Sequence, residues 1–222
     1  MRSFVRPDGR RFVRDPDEQS LSGLEQDAYC TSDERDVDRL TALGFLVNRR
    51  EGEYVLPTRV SPSAFPAGIR VARGDEVEER ALRLLDDELR QDVPGSDGWT
   101  WDEAGFREET YESPHFDPAT YLVAVDEGSG DLVGIVRVWM RPGVPTLGFI
   151  GVARSHRQHG LGRALVTSVL AELEGRGIPE VTTSIDDTNV ASRGLLEGLG
   201  ARRTGTSVEL IKRHPAAVRR SL

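Results

Sequence analysis

Val152-Ala153-Arg154-Ser155-His156-Arg157-Gln158-His159-Gly160-Leu161-Gly162-Arg163-Ala164-Leu165-Val166 joins an apolar run, Leu147 to Val152, to a segment with helical periodicity. The run reads as a buried strand, and the loop between strand and helix carries Arg157-x-x-Gly160-x-Gly162. A helix's first turn leaves backbone N–H groups unpaired and carries partial positive charge. Glycines just before that turn have no Cβ, so the backbone approaches a phosphate closely. Arg157 adds a cation with forked donors. The layout is that of an anion site, against the plainer reading of a strand-to-helix turn with a solvated arginine. No Gly-Lys-Ser/Thr follows, as a P-loop requires, and the third glycine of the dinucleotide fingerprint would fall at Leu165.

The chain has 222 residues, enough for one large domain with a small appendage. Its formal net charge of -8 argues against non-specific nucleic-acid binding and favours a neutral or cationic second substrate. One cysteine, Cys30, excludes an internal disulfide and a cysteine-based zinc site. His156 and His159 lack a third metal ligand nearby, so no metal is expected. The start is broken by charge and proline, and no apolar run is long enough for a signal peptide or membrane span. A soluble cytoplasmic protein without nucleic-acid or membrane partners is the expectation.

Outward from the glycine loop, Leu165, Val166, Val169, Leu170 and Leu173 form one helical face, with Gly175 and Gly177 as stops. Val181 to Ile185 reads as a strand, Ala191 to Leu199 as a short helix ended by Gly200, and Ser207 to Ile211 as a last strand before a basic tail. Upstream, Tyr121 to Val125 and Leu132 to Met140 form a hairpin around Gly128-Ser129-Gly130. Ile69 to Ala72 is a first strand; Asp75 is expected to cap a helix carrying Val77, Ala81, Leu84, Leu85 and Leu89. Thr100-Trp101-Asp102-Glu103 reads as a capping box before a helix with Phe106 and Tyr111. The order from residue 69 is β-α-α-β-β-β-α-β-α-β, which argues for α+β with a mixed central sheet flanked by helices.

Ahead of that lies a small α/β appendage. Phe4-Val5-Arg6 and Arg11-Phe12-Val13 flank Pro7-Asp8-Gly9 as a hairpin. Val37, Leu40 and Leu43 share a helix face before Gly44, and a second hairpin is expected around Arg50-Glu51-Gly52-Glu53. Pro57 to Pro66 reads as a linker. The predicted division is 1–66 extension and linker, 67–213 main domain, 214–222 basic tail.

The element order and the Arg157 to Gly162 loop resemble the GNAT superfamily of N-acetyltransferases, whose loop is Arg/Gln-x-x-Gly-x-Gly/Ala. A second stretch, Asn189-x-x-Ser192-x-x-x-Leu196-x-x-x-Gly200-Ala201, resembles that family's Asn-x-x-Ala/Ser-x-x-x-Tyr-x-x-x-Gly-Phe. The resemblance implies an acetyl-CoA donor, its pyrophosphate on the backbone from Gln158 through His159, Gly160, Leu161 and Gly162 to Arg163, beside Arg157. It implies a pantetheine arm paired with the strand ending at Val152, the Val152 N–H directed at the thioester oxygen, and Asn189 holding the far end of the arm. Asn189 also reads as a helix cap, or as cap and ligand together.

Two departures concern the proton chemistry. Leu196 stands where many members carry a tyrosine that protonates the leaving thiolate, leaving solvent or Ser192. The strand to Val152 lacks the glutamate some relatives use as base, leaving Asp186 or Asp187 through water, against an ordinary acidic loop. Trp139 is the first choice for an aromatic wall of the acceptor site, although Trp99, Trp101 and Trp139 equally read as core.

The resemblance thus implies an N-acetyltransferase acting on a primary amine of a small molecule by direct attack in a ternary complex. The alternative is an acyl-CoA-binding regulatory module without turnover. The sequence leaves the oligomeric state open, a homodimer included. Residues 40–56 parallel 196–210 in pattern, which suggests a degenerate partial GNAT-like unit, a lid, or the wing of a DNA-binding module; the acidic balance disfavours the last.

Overall fold

The computed structural model describes residues 2–5, 11–14, 28–94, 96 and 98–212. They divide into two compact units, 1–52 with 205–222 and 53–204. The expected linker, 57–66, therefore falls within the larger unit. Its residues are held there: Thr58 donates its N–H to the Pro179 carbonyl at 3.0 Å and its hydroxyl to that of Ile178 at 2.6 Å. Val60 and Phe65 pack on the core.

In the smaller unit β1 (Arg2–Val5) and β2 (Arg11–Arg14) pair antiparallel with Phe4 opposite Phe12, as the hairpin reading expects. The turn Pro7-Asp8-Gly9 lies outside the described residues. β3 (Ala28–Thr31) follows, then α1 (Glu34–Ala42), whose first turn is capped by Asp33 accepting from the Arg35 N–H at 2.9 Å. Val37 and Leu40 are buried, but Leu43 is 40% exposed because the helix ends at Ala42 and the chain turns through Gly44 at φ +87°.

β4 (Leu46–Pro57) corrects the second hairpin: Arg50-Glu51-Gly52-Glu53 continues straight as one strand. Turn chemistry loses here because the strand lies between two others in the sheet order, so extended backbone has partners on both edges.

The larger unit continues with β5 (Ile69–Arg73), α2 (Glu79–Arg90), α3 (Glu103–Glu109), β6 (Tyr121–Asp126), β7 (Leu132–Trp139) and β8 (Thr146–Val152). It is completed by α4 (Leu161–Gly175), β9 (Glu180–Asp186), α5 (Val190–Glu197) and the first residues of β10 (Arg202–Ile211), a strand that belongs to the smaller unit from residue 205 on. The α+β order is that read from the sequence. The strand order is β10-β4-β9-β8-β7-β6-β5, antiparallel from β5 to β8 and parallel between β8 and β9.

Two helix starts differ from expectation. Glu78, not Asp75, caps α2, accepting from the N–H groups of Arg80 and Ala81; Asp75 lies in a separate 3-10 turn. Asp102, not Thr100, caps α3, accepting from the Gly105 N–H at 2.7 Å. The later start of α2 turns Leu82, Leu85 and Leu89 inward, at helical i, i+3, i+7 spacing, and leaves Leu84 49% exposed.

Each sheet face is covered. α4 brings Leu165, Val166, Val169, Leu170 and Leu173 onto one, with Val136, Val138 and Leu196. On the other, α2 and α3 close over Tyr121, Val123, Ile135 and Phe149. No helix among the described residues is long and apolar enough to cross a membrane.

Candidate active site

β8 and β9 start side by side. The Thr182 N–H donates to the Pro145 carbonyl at 2.9 Å and the Thr183 hydroxyl to that of Leu147 at 2.9 Å. Among the described residues their register is confined to Thr146 opposite Thr182. Toward Val152, β8 therefore has β7 on one side and an edge without ladder partners on the other. The Ala153 N–H donates to the Val133 carbonyl, across toward β7. Successive N–H groups of a strand point to opposite edges, so that of Val152 is directed away from β7, to the open edge.

At the end of that edge stands the first turn of α4. Gly160 is its N-cap at φ +84°, a left-handed conformation that glycine adopts without strain. The preceding Gln158, at φ +64°, is the non-glycine residue with positive φ among the described residues. Two such residues fold the loop so that the amides from Gln158 to Arg163 lie at the helix N-terminus, with the Ala164 N–H already bonded to the Gly160 carbonyl at 3.0 Å. A Cβ at Gly160 would meet nothing within 4 Å, and one at Gly162 would sit 3.6 Å from Val152 Cγ2 and 3.8 Å from Ile150 Cδ1. The turn is thus packed against the strand end while its glycines leave the amides uncovered, which fits an anionic phosphate group.

Arg157 works differently from a simple cation. Its Nε donates to the Val152 carbonyl at 2.8 Å, and its Nη2 pairs with Asp92. Arg154 reaches the other oxygen of Asp92 at 2.8 Å. These hydrogen bonds, that from Arg157 first, hold the Asp92 carboxyl below the ordinary carboxylate range. Asp92 was not legible beforehand: it lies in the turn after α2, and only the fold brings it to the loop.

The residues of the second motif and the acidic pair before it also have partners within the fold. Asn189 accepts from the Ser192 N–H at 3.1 Å and caps α5. Asp186, buried, accepts from the Thr188 N–H at 2.8 Å and the Thr188 hydroxyl at 2.5 Å. Asp187 pairs with Arg203 at 3.0 Å and gives its carbonyl to Arg193. Leu196 is buried in the core beneath α5. His156 lies between Ser155 and Asp126, and His159 is exposed. Trp139 covers Gly148, where a Cβ would approach its ring to 2.4 Å, and stacks with Arg137 and Arg141.

Residues 82–201 match the Acetyltransferase (GNAT) family, and the chain belongs to it. It is 31% identical over 158 residues to a mycothiol acetyltransferase of Thermobispora bispora, covering 67% of this chain and 51% of that one. A mycothiol acetyltransferase of Salinispora arenicola is 33% identical, with 69% and 48% covered. The chain spans about half the length of these curated relatives. Among solved structures, a GCN5-related N-acetyltransferase from Sphaerobacter thermophilus superposes with a TM-score of 0.67 at 21% identity, over 82% of this chain and 58% of that one. A tandem GNAT protein from the clavulanic acid biosynthesis pathway gives 0.62 at 18%, over 87% and 66%. These likenesses concern the fold.

Proposed function

We propose that this chain transfers an acetyl group from acetyl-CoA to a primary amine of a small molecule, by direct attack in a ternary complex. The observation that carries the reading is the parting of β8 from β9 beyond Thr146 and Thr182, with the uncovered N-terminus of α4 at its far end. The mycothiol acetyltransferase relatives, by their name, support a small-molecule acceptor.

Bound acetyl-CoA supplies an activated acetyl carbon and a thiolate leaving group. The amides from Gln158 to Arg163 hold pyrophosphate oxygens at the positive end of α4. The β8 edge accepts the pantetheine arm as an added strand, and Asn189, while capping α5, offers its amide N–H groups to the arm. The Val152 N–H stabilises negative charge on the acetyl oxygen; a fixed dipole of this kind contributes roughly 3 kcal/mol to the rate. Arg157, bonded to the Val152 carbonyl, keeps that peptide in place.

An ammonium with pKa about 10 is not nucleophilic, so a proton must leave the amine first. Asp186, at the end of β9, takes that proton through water; Ser192 is the side chain on α5 that returns one to the thiolate. Asp186→Asn should lower kcat about 100-fold or more at unchanged acetyl-CoA affinity; equal kcat removes Asp186 from the chemistry.

Replacing Gly160 or Gly162 with leucine should abolish acetyl-CoA binding by calorimetry, and undiminished affinity would overturn the site. The alternative, an acyl-CoA-responsive module without turnover, draws on Leu196 standing where an acid is usual. A thiol-release assay over a panel of amines separates the two, because the module binds acetyl-CoA and turns over none.

A further inference from the structure

Arg137 is a charged residue in the middle of an otherwise apolar strand, Leu132–Trp139, and it is 3% exposed. It stands opposite Phe149 in the β7 to β8 register, three residues before Val152. Three strand residues span roughly 10 Å, so it lies one small molecule's length from the strand end that the acetyl group would occupy. Its guanidinium is stacked 4.8 Å from the Trp139 ring and 5.5 Å from the Tyr121 ring. Among the described residues its Nε and Nη1 have no hydrogen-bond partner, and it forms no ion pair.

A buried guanidinium with idle donors is costly unless something anionic meets it. Asp86 is engaged elsewhere through one oxygen, which takes Arg90 Nε at 2.9 Å and Trp101 Nε1 at 2.8 Å. Asp86 Oδ2 and the Tyr121 hydroxyl are also buried and unpartnered among the described residues. These idle groups belong to the sheet face beneath α2 and α3, so the chain holds in one region a forked cation and two acceptor oxygens.

We propose that Arg137 binds a carboxylate on the acceptor, so that the amine substrate is an amino acid or a similar carboxylate-bearing amine. Charged N–H donors suit the oxygens of a carboxylate, and the two flanking rings fix the plane of the guanidinium. The idle Asp86 oxygen is a matching acceptor for an N–H of the same ligand. The proposal rests on the acetyltransferase reading for its reaction, though not for its binding site.

The test compares the α-amino acids with their carboxamides, which differ only at the group Arg137 would meet. In thiol release, the best amino acid should exceed its amide at least about tenfold in kcat/KM, mostly through KM. That preference should shrink to within about twofold in Arg137→Gln and Arg137→Met, with acetyl-CoA affinity unchanged. Arg137→Met fills the same volume without a charge, so its Tm should hold or rise. Amides acting as well as acids, or an acid preference surviving in both variants, would overturn the proposal. If no amine is turned over although acetyl-CoA binds, the acetyltransferase reading has failed, and thermal shift decides the carboxylate site by itself. Amino acids then raise the Tm of the unaltered chain more than their amides do and lose that advantage in Arg137→Met; no difference between acid and amide refutes it.

Discussion

Gly148 and Gly160 show two reasons for a glycine. At Gly160 the backbone demands it: φ is +84° and a Cβ would meet nothing. Gly160→Ala should therefore cost about 1–2 kcal/mol through backbone strain alone, and acetyl-CoA binding should weaken only modestly, since a methyl group leaves the amides accessible. Gly148 is the reverse, a matter of space. Its Cβ would come within 2.4 Å of a Trp139 ring that is itself stacked with Arg137 and Arg141. Gly148→Ala should lower stability by about 1–3 kcal/mol, as overpacking does, and thermal unfolding reads it. A Tm equal to the unaltered chain's would mean the tryptophan moves aside freely. The loop glycine was legible in Arg157-x-x-Gly160-x-Gly162, a pattern of neighbours. Gly148 was not, because the ring above it comes from the neighbouring strand, β7.

At the scale of elements, Asn189 has one observed role and one proposed role, which substitution can part. As N-cap of α5 it accepts from the Ser192 N–H through Oδ1. Asp also accepts there but has no amide N–H to donate. Asn189→Ala should cost about 1 kcal/mol of stability. Asn189→Asp should keep the Tm and still lower acetyl-CoA affinity several-fold; unchanged affinity in a folded Asn189→Asp chain would leave the residue a cap alone. Long, strongly periodic elements were readable: α4 buries all five residues named from its spacing, and the strands from Ile69 to Val152 fall where alternation and turn residues put them. Helix starts were less so. Thr100 and Asp75 are good caps by type, but Asp102 and Glu78 hold the position because helix entry is decided by which residues must face the sheet. β4 is the clearest case, since Arg50-Glu51-Gly52-Glu53 has the composition of a turn and is a strand.

For the molecule as a whole, pH dependence follows from several carboxylates held below their ordinary range. Asp92 is held there by Arg157 and Arg154, Asp117 by Arg176 and Asp126 by His156, each chiefly through side-chain hydrogen bonds. A carboxyl lowered on folding contributes stability that is full above its unfolded value of about 3.9 and is lost as pH falls through the folded value. Asp87 runs the other way: burial raises it, so its contribution is present at low pH and is lost as pH rises through the folded value. The lowered carboxyls outnumber the raised one, and Tm should be nearly flat from about pH 5 to 8 and fall below about pH 4. Stability that rises on acidification through that range would contradict the pairing seen here.

Sequence by itself determined the α+β order, the GNAT membership and the glycine loop, because all three live in local spacing: apolar periods of two and 3.6, and glycines placed against a helix start. The tertiary structure alone decided that β4 runs straight within the sheet, that β8 and β9 part after Thr146 and Thr182, and that Arg157 is tied to Asp92 and the Val152 carbonyl. It also decided that Arg137 is buried, with donors idle among the described residues, although a lone arginine in Leu132–Trp139 was there to be noticed. Those facts depend on partners far away along the chain, and a partner's distance and direction exist only once the sheet has brought the strands together.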